Sequence, residues 1–304
     1  MNPLPNKTAI VSIVIAGLSV ILAGQPEQPP ISRTEWKSWD RQKILNNSFF
    51  HPSHITSNPY GDIILLDSET FTIAVISSGG TLRTTGGWGV ESERFSYPTD
   101  IAVSTGQDIY LCDQASDRIL RFDRKLNFIS DVDLTELRPT KVEFPSRIAI
   151  NRLGEMVISE AEQWELYQLS SDSRFISRFG GLSYGEERFG EIADVAVNSR
   201  NQIAVLDLGN EQLTILSRAG SILKTAPLPD EEIVAVESWH SGWLIISSNG
   251  KLFYWSPDSR EFSLVLSIQG EITEIAPITD FTIINDRIFA VNRSVVTCRL
   301  IIHE

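Results

Sequence analysis

The chain has 304 residues, 42% hydrophobic and 21% charged, with 39 acidic against 26 basic side chains and a formal charge of -13. That apolar share supports a packed core and excludes a chain disordered throughout. An acidic balance repels phosphate backbones and no basic patch interrupts it, so no nucleic-acid partner is expected.

The first element is apolar. Thr8 to Gly24 runs without a charge behind Lys7. At 17 residues it falls between the core of a signal peptide and the shortest membrane-spanning helix. Residues 1–24 therefore read as a cleaved signal peptide or an N-terminal membrane anchor, with a buried structural segment as the third possibility. The Ala23-Gly24-Gln25 region is a mediocre cleavage site, because Ile21 and Leu22 are bulky near the cut. Either of the first two readings exports the remainder, to the periplasm, the extracellular space or the outer face of the cytoplasmic membrane. Membrane contact is then expected only through this segment. Without Lys7 the remainder carries -13 - 1 = -14. Residues 25–32 follow as a Pro-rich spacer, stiff and extended.

From residue 33 to residue 304 the chain repeats. Phe95-Ser96-Tyr97-Pro98-Thr99-Asp100-Ile101 aligns with Phe144-Pro145-Ser146-Arg147-Ile148 and with Phe50-His51-Pro52-Ser53-His54-Ile55. Repeats start at Pro52, Pro98, Pro145, Ile192, Ile233 and Pro277, at spacings of 46, 47, 47, 41 and 44 residues. That period matches one four-stranded propeller blade. Proline suits the first residue of a strand, where its missing N–H does least harm. Gly61, Gly106, Gly154, Asn201 or Gly242 then separates two β-rich runs, as a tight hairpin requires. Fifteen residues after each start stands Asp67, Asp113, Glu160, Asp207, Ser248 or Asn292. An acid there can accept hydrogen bonds from the turn that follows, so this column reads as structural rather than catalytic.

The order Pro98, Gly106, Asp113 and Asp117-Arg118-Ile119 resembles the NHL repeat family, most closely between Phe95 and Asp123. The resemblance covers about residues 49–304, with the last two repeats resting on spacing alone. It implies an all-β, six-bladed β-propeller of four-stranded blades and is silent on function. The chain ends supply a second argument. Outer strands begin 29 residues after each start, which for the last repeat is 277 + 29 = 306, beyond Glu304. A strand at about residues 33–39, containing Trp36 and Trp39, is therefore expected to complete blade 6 and close the ring. Cys112 and Cys298 fall in different repeats and support no disulfide framework.

Two sets of residues carry the functional expectation. Two positions past each start stand His54, Asp100, Arg147, Asp194, Ala235 and Thr279. The four ionisable ones would face the channel mouth, either as a ligand site or as a polar ring that pairs with itself. A mixed metal site of His51, His54, Asp100 and Asp194 would have Arg147 opposing the cation, while His240 and His303 fall toward the opposite face. No metal and no cofactor is therefore expected. Second, Gly86 to Phe95 and Gly180 to Phe189 share a Gly-Gly, aromatic, Glu, Arg-Phe order. Trp88, Arg94, Tyr184 and Arg188 read as interface residues, against the reading that these are blade connectors whose Phe packs inside. Together they point to a non-catalytic exported scaffold that binds a protein, peptide or glycan. The alternative is a propeller enzyme, a lyase or lactonase-like hydrolase with one divalent ion at the channel mouth.

Overall fold

The computed structural model describes residues 31–33, 36–39, 51–181, 188–267, 277–284, 287–292, 295–300 and 302–303. Residues 1–24, with the signal or anchor expectation, lie outside them. Among the described residues no helix is long and apolar enough to cross a membrane.

Among the described residues, five antiparallel sheets each use four consecutive strands. Sheet A is His54–Ser57, Ile63–Asp67, Thr72–Ile76 and Leu82–Gly86. Sheet B is Pro98–Val103, Ile109–Asp113, Arg118–Phe122 and Phe128–Asp133. Sheet C is Pro145–Ile150, Met156–Glu160, Glu165–Leu169 and Phe175–Gly180. Sheet D is Ile192–Val197, Ile203–Asp207, Gln212–Leu216 and Ile222–Pro227. Sheet E is Ile233–Trp239, Gly242–Ser247, Lys251–Trp255 and Ser263–Ser267. The chain is thus an all-β β-propeller. A further four-stranded sheet, F, has the order Trp36–Trp39, Val295–Leu300, Arg287–Asn292, Ile278–Ile284, so its outermost strand comes from the far end of the chain. Ile31–Arg33 pairs with Ile302–His303 in a two-stranded ribbon. Ile31 and Ser32 therefore belong to a strand and not to the Pro-rich spacer. Composition cannot register a strand whose partner lies at the other terminus.

The burial of each strand follows from its place in the blade. The second strands of sheets A to D are buried at every position, because both faces are covered by neighbouring sheets. Hence Ile63-Ile64-Leu65-Leu66 reads as a continuous apolar run. The outer strand Phe128–Asp133 alternates half-buried and exposed residues, as a strand with one solvent face must. The core is divided among the seams. Leu66, Ile73, Phe95, Leu111 and Leu120 pack between A and B, and Ile55, Leu65, Ala74, Phe289 and Val291 pack between F and A. Each such aliphatic side chain contributes roughly 1.5–3 kcal/mol on burial.

Pairing also corrects two repeat positions. Ile278 faces Asn292 and Asp280 faces Val291, as Pro98 faces Asp113 and Asp100 faces Cys112. The last repeat starts at Ile278, one residue past Pro277, so Asp280 and not Thr279 holds the position two past the start. In sheet E, Ile233 faces Ser247, which takes the place assigned to Ser248. Proline marks a strand start by its chemistry, whereas register is set by the partner strand. In sheets B to F the register shifts between the first and third residues of the innermost strand. Such a bulge re-aims the side chain that follows it.

Candidate functional site

The first strands begin on one face, the front, and their hairpins turn on the other, the back. On the front rim the acid column does what its residue type suggested. The Asp67 carboxylate accepts from Glu69 N and Thr70 N, both at 2.9 Å. Glu160 accepts from Glu162 N and Gln163 N at 2.6 Å, and Asp207 accepts from Asn210 N at 3.0 Å. These bonds hold turns in which Phe71, Trp164 and Glu211 take left-handed φ values of 57°, 52° and 52°. That backbone costs roughly 1–2 kcal/mol for a residue with a side chain. Two hydrogen bonds to a carboxylate, at about 1.5–3 kcal/mol each, outweigh it. The column is structural. It also holds the loop that enters its own sheet, since Asp207 accepts from Gly190 N and Glu191 N at 3.1 Å.

The Gly86-to-Phe95 loop is fixed by three devices. A Cβ on Gly86, at φ 120°, would meet Phe71 O at 2.2 Å, so only glycine lets the chain leave the sheet there. Phe95 is fully buried against Phe122, edge to face at 6.0 Å between ring centroids. Arg118 donates to Val90 O at 3.0 Å, to Arg94 O at 2.9 Å and to the buried Asp113 carboxylate at 3.2 Å. Arg94 itself is exposed, and its guanidinium donates to Gly86 O at 2.8 Å. On this anchored loop Trp88 is 75% exposed, with Val90 at 69% and Tyr97 at 54%. Phe144, which precedes Pro145 as Tyr97 precedes Pro98, adds 40%. The connector reading thus holds for Phe95 and the interface reading remains open to Trp88. In the matching loop Phe189 is buried against Gly180 and Arg188 is exposed, while Tyr184 lies outside the described residues.

Of the other predicted set, Asp100 and Asp194 line the channel, while His54 and Arg147 are not in its lining. A cavity of about 290 Å³ is lined by Asp100, Asp194, Glu237 and Asp280, among hydroxyls such as Ser57 and Thr282. The Asp100 carboxylate accepts from Ile101 N on its own strand and from Ile148 N of sheet C, at 2.7 and 2.8 Å. Asp194 does the same with Val195 N and with Val236 N of sheet E, both at 2.8 Å. Asp280 repeats it with Phe281 N at 2.7 Å and with Ile55 N of sheet A at 2.8 Å. Each aspartate is a clasp across one seam. Arg147 spends its guanidinium on backbone carbonyls, Ala193 O at 2.5 Å and Thr99 O at 3.2 Å. His54 Nδ1 lies 3.0 Å from Ser53 Oγ.

Burial dominates the electrostatics. It raises Asp100 to about 6, with Arg147 pulling the other way. Burial and then the Asp100 charge lift Asp194 to about 7, and burial followed by Asp194 lifts Glu237 to about 8. Asp280 is pushed well up for the same reasons. Burial, then Arg147, holds His54 down to about 3, so its imidazole is neutral. Asp100 is buried and the others are half-buried by surface exposure, yet what they touch is the confined lumen rather than open solvent. The chemistry on offer is proton holding at neutral pH. Among the described residues no group of three or more His, Cys, Asp or Glu is arranged to hold a metal ion.

Three residues of this site were not in the predicted set. Asp280 was hidden by the one-residue slip in the last repeat. Glu237 stands where the other repeats have Thr56, Ala102, Ala149, Ala196 and Thr282, and that lone acid among small residues was a usable signal. Arg118 belonged to the repeat motif, but its grip on the Trp88 loop depends on a contact 24 to 28 residues away.

Fold and channel together define a β-propeller with an acid-lined centre. No protein-family model matches the chain. A stretch of 140 residues is 24% identical to Protein brain tumor of Drosophila melanogaster, covering 45% of this chain and 13% of that protein. The chain thus spans only a small part of that relative. Among solved structures, streptogramin B lyase superposes with a TM-score of 0.66 at 13% identity, over 88% of this chain and 97% of that one. A catalytically inactive virginiamycin B lyase from Staphylococcus aureus with quinupristin gives 0.61 at 12%, over 89% and 100%. At these identities the likeness shows the propeller fold alone.

Proposed function

We propose that this chain is an exported, non-catalytic binding propeller of the NHL-repeat type, recognising a protein, peptide or glycan through its front face. In this reading sheet F is the sixth blade and Trp36–Trp39 closes the ring. The repeat motif and the order of sheet F support that assignment. The observation that carries the binding role is Trp88, three-quarters exposed on a loop held by Arg118, Gly86 and Phe95. A large aromatic held rigid in solvent gains contact area on binding at little entropic cost. The four predicted channel residues enter as supports of the ring, because the Asp100 and Asp194 oxygens and the Arg147 N–H groups are engaged with backbone.

The test compares Trp88→Ala with Tyr60→Ala, which removes an exposed aromatic from the back face. Both variants and the wild type are used to capture partners from the native envelope fraction and from a glycan array. The reading expects partner capture to fall at least about tenfold for Trp88→Ala and to stay unchanged for Tyr60→Ala. The reverse pattern overturns it. Stoichiometric divalent metal in the purified protein, lost on Asp194→Asn, would instead support the enzyme alternative.

A further inference from the structure

The innermost strands of sheets B, D, E and F send Asp100, Asp194, Glu237 and Asp280 to the channel, and His54 of sheet A and Arg147 of sheet C lie close by without lining it. The four that line it are carboxyls. The one permanent cation beside them, Arg147, is tied to carbonyls of two neighbouring strands and of its own at the front end of the channel. The carboxyls therefore share a narrow lumen with little to neutralise them. Three of them also join sheets, Asp100 from B to C, Asp194 from D to E, and Asp280 from F to A. The alternate seam C to D is crossed by Arg147 itself. Cys112, opposite Asp100 in register, stays a neutral thiol because burial raises it.

We infer that the channel is a proton-held latch: the three aspartates clasp neighbouring sheets while the channel acids carry protons, and losing those protons loosens the inner ring. The clasping N–H donors are engaged in either state and favour the ionised carboxylate, but burial outweighs them at all three aspartates. Ionisation adds mutual repulsion among carboxylates that share one lumen. The direction of the pH dependence follows. Asp194 at about 7 and Glu237 at about 8 hold protons that the unfolded chain has released above pH ~4.5, so stability declines as pH rises from 6 to 8. His54 works in the opposite sense. It takes up a proton only on unfolding, so its contribution is lost as pH falls from 6.5 toward 3. Asp62 and Glu155, held low chiefly by hydrogen bonds from Arg124 and Arg218 against the desolvation that opposes them, steepen that acid limb. Greatest stability therefore falls below pH 6.

Urea unfolding of the full chain at pH 6 and pH 8 reads the latch directly. The unfolding constant is expected to rise on the order of a hundredfold or more across that interval, because each proton held is worth about tenfold per pH unit. Glu237→Gln keeps the volume and removes one proton, and should cut that ratio by at least about tenfold. Amide exchange in the wild type gives a second reading that needs no variant. The Ile148, Val236 and Ile55 amides, which face the three clasps, should gain exchange between pH 6 and 8 beyond the intrinsic base catalysis. The Glu69 and Asn210 amides, held by the front-rim acids, should not. A stability flat from pH 6 to 8, an unchanged slope in Glu237→Gln, or equal exchange gains in both sets would each overturn the latch.

Discussion

Arg118→Met tests whether the loop that presents Trp88 is held from the core. Arg118 is 9% exposed and Asp113 fully buried, so the pair is shielded from solvent and salt. Methionine keeps the apolar stem and removes the charge and its donors. Breaking a buried pair by deleting one partner costs about 3–5 kcal/mol, because a charge stays behind uncompensated. Here Ser96 N and Tyr97 N still serve Asp113, at 2.9 and 2.7 Å, which places the expected loss near the lower end, about 3 kcal/mol. The lost contact at 3.6 Å to Asp131, 49% exposed, adds at most about 1 kcal/mol. The freed carbonyls of Val90 and Arg94 can turn to water, so the loop is expected to loosen. Urea unfolding measures the first effect, and the rate of tryptic cleavage after Arg94 measures the second. A loss under about 1 kcal/mol with unchanged cleavage would refute the claim that Arg118 links core and loop.

Deleting residues 25–45 removes Trp36–Trp39 and leaves Val295–Leu300 as an open edge. Size-exclusion chromatography should show aggregation, and a stable monomeric product would overturn the proposed closure. Cys112, buried on a middle strand with its thiol raised by burial, should react with alkylating reagents only on unfolding. Rapid alkylation at neutral pH, or a mass-mapped Cys112–Cys298 bridge, would mean the strand assignment is wrong.

The channel shows how far counting reaches. Asp100, Arg147 and Asp194 were placed on the axis because a local motif repeats at their spacing, and the structure brings them together. Counting named no partners. It left open whether Asp100 would meet a ligand or a neighbour, and the structure gives its oxygens to Ile101 N and Ile148 N. The interface loops divide in the same way. Phe95 could be read as core or contact, and the close approach of Gly86 to Phe71 O, which no spacing encodes, places it inside.

By itself the amino-acid order determined the features that depend on neighbours along the chain: short strands, hairpin turns, acids that bind the turns following them, and the period of a blade. Each of these is settled within about 20 residues by backbone sterics and local hydrogen bonds. Tertiary structure decided the rest, because it depends on which strands become neighbours. Pairing set the last repeat at Ile278 and put Asp280 on the channel. The enclosed lumen turned ordinary carboxyls into groups that keep their protons near neutrality, since burial is a property of all six innermost strands together and of none alone.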